Sequence, residues 1–104
     1  MEKNNEIGYL TVNVRYAAGA SPVGGATVVL TKGEHELYEY LTDDGGKTEP
    51  IPLAVGDDYG ISVYADGFVE AECNDIPIIG GITTLQNVLM FPMPPAMEEG
   101  EDEN

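Results

Sequence analysis

Apolar and polar residues alternate with a period of two along most of this chain. In Gly8–Tyr16, Leu10, Val12 and Val14 fall on one side and Thr11, Asn13 and Arg15 on the other. That pattern predicts an antiparallel strand with one buried and one wet face. The stretch Pro22-Val23-Gly24-Gly25-Ala26-Thr27-Val28-Val29-Leu30 organises the rest of the chain. Its proline and glycines bend the backbone, because proline fixes φ and glycine supplies positive φ. Its β-branched run then leaves the bend as a strand, with Ala26, Val28 and Leu30 inward.

The same alternation continues to the carboxy-terminal prolines. Lys32–Glu36 reads as a polar turn, and Leu37–Thr42 as a strand with its aromatic residues on one face. Asp43-Asp44-Gly45-Gly46 is a tight reversal, since aspartates bond their own turn backbone. Glu49-Pro50-Ile51-Pro52-Leu53 is extended but short of donors, which predicts an edge strand. Asp57–Ala65 alternates with Tyr59, Ile61 and Val63 inward. Asp66-Gly67 turns into a strand over Phe68–Cys73, with Gly67 at positive φ, Phe68 driven into the core and the acids outside. Ile76–Gly81 is an apolar crossing segment, and Ile82–Phe91 is the last strand. No helical period is sustained. Seven short strands at regular spacing predict an all-β sandwich.

The chain has 104 residues, enough for one domain with one core. A polar lead over 1–6, a sandwich over 7–92 and an acidic tail over 93–104 are the expected divisions, the tail disordered. Four basic residues face nineteen acids, for a formal net charge of -15. That field excludes nucleic acid and anionic membrane surfaces as partners. The polar amino terminus lacks the apolar core of a secretory signal, and a lone cysteine fits a reducing compartment, so the expected location is cytoplasmic.

Candidate chemistry is thin. The acidic pairs Asp43-Asp44 and Asp57-Asp58, with Asp66, lack the spacing of a calcium loop and read as turn formers. His35 is the one histidine and reads as a solvated turn residue, which leaves no triad or multi-histidine zinc set. Cys73 reads as a small apolar filler. A Lys3–Asn87 crosslink assisted by Glu70 or Glu72 would need a buried lysine, and Lys3 lies in the polar lead. No cofactor and no metal are expected, and the chain is not expected to be an enzyme.

Four separated motifs carry a resemblance over about residues 7 to 92. They are Gly8-Tyr9-Leu10-x-Val12-x-Val14, Pro22-Val23-x-Gly25-Ala26-x-Val28-x-Leu30, Leu41-Thr42-Asp43-Asp44-x-Gly46-Lys47 and Tyr59-x-Ile61-x-Val63-x-Ala65-x-Gly67-Phe68. In this order they resemble the carboxypeptidase regulatory-like domains, which implies a seven-stranded, transthyretin-like Greek-key sandwich. The run Asp75-Ile76-Pro77-Ile78-x-x-Gly81-Ile82-Thr83-Thr84-Leu85-Gln86-Asn87-Val88 is similar to domains beside spore-cortex-lytic and peptidoglycan-binding modules. The resemblance implies a non-catalytic accessory module whose partner is another protein or a cell-wall polymer, with association to the spore or cell wall as the alternative to the cytoplasm. The exposed candidates for that contact are the edge residues Ile51 and Leu53 and the tyrosines Tyr38, Tyr40 and Tyr64. The alternative is a carbohydrate- or peptidoglycan-binding module in which those tyrosines form the platform.

Overall fold

A computed structural model describes residues 6 to 94. The expected polar lead and acidic tail otherwise lie outside these residues. Among the described residues eight strands form: β1 (Ile7–Tyr16), β2 (Ser21–Pro22), β3 (Thr27–Lys32), β4 (His35–Leu41), β5 (Ile51–Ala54), β6 (Gly56–Tyr64), β7 (Ala71–Ile78) and β8 (Thr83–Leu89). They make two sheets. In the first, β1 is central, with β8 on one edge and both β5 and β2 on the other. The second runs β4-β3-β6-β7. The all-β reading holds, with β2 as a two-residue addition to the seven strands expected.

The inward parities are those the alternation predicts. Leu10, Val12, Val14, Ala26, Val28, Leu30, Tyr59, Ile61 and Val63 are all buried in one cluster. Ile76, Ile78, Val88 and Met90 complete it from β7 and from β8 with the residue after it. At roughly 1.5 to 3 kcal/mol per buried aliphatic side chain, this cluster is the main force holding the sheets face to face.

Several boundaries differ from expectation. The polar turn after β3 shrinks to Gly33-Glu34, because Lys32 and His35 already pair across the hairpin. Phe68–Glu70 is not strand: Phe68 makes an isolated bridge to Pro92, and β7 begins at Ala71. It then runs through Ile78, absorbing Ile76–Ile78 of the expected crossing segment. Asp57 and Asp58 lie within β6 rather than in a turn, beside an irregularity in its pairing with β7. The last strand is shorter than expected and runs parallel to β1, from Tyr9↔Thr83 to Arg15↔Leu89. Local alternation carries no information about strand direction, so a crossover pairing leaves no mark in it.

The segment between β4 and β5 fills the remaining edge of β1. The Thr42 hydroxyl accepts the Ala26 N–H at 2.9 Å and donates to the Val23 carbonyl at 2.7 Å, all out of water. Thr48 brackets Val12: its Oγ1 accepts the Val12 N–H at 3.0 Å, and its own N–H donates to the Val12 carbonyl at 3.0 Å. Between them Asp43 Oδ1 accepts the N–H groups of Gly45 and Lys47, as a turn-forming aspartate should. Gly46 has φ +83, and a Cβ there would stand 2.5 Å from the Val14 carbonyl oxygen. Only glycine fits that place.

Replacing Thr42 by valine keeps the shape and removes the hydroxyl. Two buried backbone groups then lose their partner, at about 1 to 3 kcal/mol. Chemical denaturation of Thr42→Val should show that loss, and Thr42→Ser should recover most of it.

Candidate functional site

Three segments meet at the end of the sandwich where β3 starts and β6 stops. They are the Val23-Gly24-Gly25 turn, the β6–β7 connection from Tyr64 to Glu70, and the residues after β8. Between them lies an open groove of about 770 Å³. Tyr64, Phe68 and Met93 supply its apolar walls, and Asp66 and Glu70 its carboxylates. Among the described residues, no lysine, arginine or histidine lines it.

Each wall has a local cause. The left-handed Gly67, at φ +86, turns the chain so that the Phe68 N–H reaches the Ala65 carbonyl at 3.1 Å. Phe68 is half-buried at the rim of the core, its ring edge-on to Tyr16 with centroids 5.1 Å apart. It therefore anchors the connection rather than filling the core's centre. The Val69 N–H donates to the Phe91 carbonyl and the Met93 N–H to the Gly67 carbonyl, which seats Met93 on the groove. Opposite, the Gly25 N–H donates to the Thr42 carbonyl, so the turn is held by the same threonine that holds β3.

Tyr64 and Glu70 are coupled. A hydrogen bond to the Glu70 carboxylate, its negative charge and some loss of solvent raise the Tyr64 phenol above its ordinary value. Glu70→Gln removes the negative charge and leaves at most a neutral acceptor, so the Tyr64 titration should move down toward that of a free tyrosine. Carbon-13 NMR of the Tyr64 ring carbon reads this directly; an unmoved midpoint would separate the two groups.

The sequence-predicted contact residues do not gather here. Ile51 and Leu53 are 2% and 8% exposed and belong to the core. They stand opposite Leu10 and Gly8, and an edge strand still has one inward face. The outward residues of β5 are Pro52 and Ala54. The three tyrosines also separate. Tyr40 lies opposite Val28 and Tyr38 opposite Leu30, so both leave the sheet on its inner side. Tyr64 lies opposite Thr27 and leaves on the outer side. Tyr38 and Tyr40 stay together, edge-on with centroids 6.4 Å apart, and partial burial raises the Tyr40 phenol. Tyr38 is 66% exposed because β4 is the edge of its sheet. Of the five, Tyr64 alone lines the groove.

The other candidates are accounted for by their neighbours. His35 is exposed at the far end of β3 from the groove, some 20 Å away at ~3.3 Å per residue. Asp58 is paired with Lys32 at 2.7 Å, an exposed bridge that lowers the Asp58 carboxyl and raises the Lys32 amine. Lys32 also lies 4.5 Å from the centre of the Tyr59 ring. Cys73 is half-buried against the core, and loss of solvent pushes its thiol up, away from the reactive thiolate. Asn87 is on β8 of the first sheet, hydrogen-bonded to Asn13, while Glu72 is on β7 of the second. The proposed acid and amide thus belong to different sheets, and Lys3 lies outside the described residues.

No protein-family model matches the chain, and no curated protein matches it by sequence. Solved structures do. The TIE protein of Bacillus anthracis superposes with a TM-score of 0.67 at 16% identity, over 85% of this chain and 17% of that one. GBS52, the minor pilin of Streptococcus agalactiae, gives 0.66 at 17% identity, over 86% and 46%. The 5-hydroxyisourate hydrolase of Klebsiella pneumoniae gives 0.61 at 17% identity, over 84% and 99%. The fold is a transthyretin-like β-sandwich. This sandwich spans less than half the length of the first two neighbours, and at these identities the likeness is one of fold.

Leu53→Ala should cost about 2 to 5 kcal/mol, as for other buried leucines. Tyr38→Ala should change stability by less than about 0.5 kcal/mol. Denaturation curves for the pair check which set is core and which is surface.

Proposed function

We propose that this chain is a non-catalytic accessory module of the carboxypeptidase regulatory-like kind, whose end groove holds a basic segment of a partner protein. The observation that carries the reading is the groove's lining: two aromatic rings and a methionine beside Asp66 and Glu70, with no cation among the described residues to neutralise them. A lysine or arginine head group placed there meets both carboxylates and the face of Tyr64, an arrangement favourable to cations. The chain's net charge of -15 steers such a segment in from a distance. Loops at one end of a rigid sandwich are a common place for recognition. The imidazole of His35, the chain's one histidine, stands away from this site, which favours holding over chemistry.

The carbohydrate reading is weakened by the split of the tyrosines across the second sheet. A sugar ring stacks on aromatic faces that share a surface, and here Tyr64 does not share one with Tyr38 and Tyr40.

Calorimetric titration of the chain with lysine- and arginine-bearing peptides tests this. Binding should saturate, weaken as salt rises, and fall about tenfold in Tyr64→Ala/Glu70→Gln, the loss of roughly 1.4 kcal/mol. His35→Ala should bind normally. Capture of the chain by purified peptidoglycan, with no loss in the groove variant, would replace this reading with the wall-polymer one.

A further inference from the structure

The outer face of the first sheet differs in chemistry from the rest of the molecule. The chain has nineteen acidic residues, yet β1, β2, β5 and β8 contain none. The strands of the second sheet carry Glu36, Glu39, Asp57, Asp58, Glu72 and Asp75. The registers define what this face presents. Tyr9 lies between Pro52 of β5 and Thr83 of β8, and Thr11 lies beside Leu85. Ile7, Tyr9, Leu85 and Leu89 are all exposed on it, Leu85 at 54%. At its centre Asn13 Nδ2 donates to Asn87 Oδ1 at 3.0 Å. The one cation on these strands, Arg15, is tied to its own loop, donating to the carbonyls of Gly19 and Ala20.

We infer that this face is an isologous interface through which two copies of the chain pair. Charge argues for that occupant. Two bodies of the same strong negative charge repel wherever acids face acids, and this is the sheet whose strands carry none. The segment that completes the edge of β1 adds one exposed charge of each sign, Lys47 opposite Asn13 and Glu49 two residues on, too little of either to select a strongly basic or a strongly acidic partner. What the face does offer is self-complementary, since apolar side chains meet apolar side chains under a two-fold rotation. The exposed Asn87 brings a neutral amide to it. β1 is 10 residues long, about 33 Å at ~3.3 Å per residue, and three strands at ~4.8 Å span about 14 Å. The footprint on each copy is therefore on the order of 500 Å², at the low end of specific interfaces and in the range of a weak, reversible dimer. The groove lies at the end of the sandwich, so the two readings stand or fall separately.

Sedimentation equilibrium of the full chain over a wide concentration range tests the pairing. The mass should rise from 11.1 kDa toward twice that value. Raising the salt should strengthen association, because it screens repulsion between the acidic bodies and leaves the apolar contact intact. An ion-paired complex would do the reverse. Leu85→Glu and Tyr9→Glu should each abolish the dimer at an unchanged circular-dichroism spectrum, and Tyr38→Glu on β4 should leave it intact. Leu85 is exposed, so at least that variant keeps the fold. A monomer at every concentration and salt would overturn the inference, as would a dimer indifferent to Leu85→Glu or one lost equally with Tyr38→Glu.

Discussion

One buried hydroxyl ties together most of what is distinctive here. The Thr42 Oγ1 lies between the Val23 carbonyl and the Ala26 N–H, and the Thr42 backbone bonds Ala26 and Gly25 in turn. Without it, the chain would leave β2 with its donors and acceptors facing the core, at the point where it crosses from one sheet to the other. Buried polar groups without partners are costly enough to unmake a small domain's margin. The same residue begins the loop that carries Gly46 and Thr48 onto β1, so the crossing and the missing edge of β1 are solved by one segment. It also fixes the wall of the groove that Gly24 and Gly25 form. Fold and candidate site share that anchor.

The second constraint is that β1 has neighbours from every part of the chain. β5 covers its first residues, Thr48 and Gly46 its middle, β2 its end, and β8 the whole opposite edge. All of these except β2 come from far along the sequence. The parallel β8 requires the chain to cross from β7 over the end of β1, where the Gly81 N–H reaches the Ile7 carbonyl and the Tyr9 N–H reaches the Ile82 carbonyl. Loop closure of this length is slow, so β1 should be completed late in folding while the β3–β4 hairpin forms early. Gly8 matters at that crossing, since any side chain there would run into the backbone of Ile79.

Much of this was legible in the residues, and the limits of reading are physical. Alternation marks which positions share a face, so Leu10, Val12, Val14, Val28, Leu30, Ile61 and Val63 were placed correctly. The Asp43 turn and the left-handed Gly67 were readable because their chemistry is local. Alternation does not say which way a face points when both sides carry apolar or aromatic residues. At β5 Pro50 and Pro52 suggested exposure, yet Pro52 takes an outward position and leaves Ile51 and Leu53 to the core. In β4 and β6 the tyrosines looked like one platform, but strand pairing sends Tyr38 and Tyr40 one way and Tyr64 the other. The direction of β8 and the late start of β7 depend on non-local pairing and on Phe68 bridging to Pro92. The groove was not legible at all, because Gly24, Tyr64, Glu70 and Met93 meet only after three separate connections have closed.

The distribution of charge links these points. A free sheet edge invites another chain to pair with it, and three of the edge strands here carry something that hinders pairing. β5 has Pro52, and β7 has Pro77 and a left-handed Asp75. β4 has Glu36, Glu39 and an irregular register beyond Leu30. Acids on β4 and β7 and around the groove make unspecific contact between copies unfavourable in every orientation that brings two of them together. The repulsion that protects the edges has no source on the strands of the first sheet, and so it cannot protect that sheet's outer face. Had solubility alone been selected, Leu85 and Tyr9 would be the natural places for two more of the chain's many glutamates. Their apolar identity at exposed positions, on the one sheet whose strands carry no acids, is the residue-level reason to regard that face as built for contact.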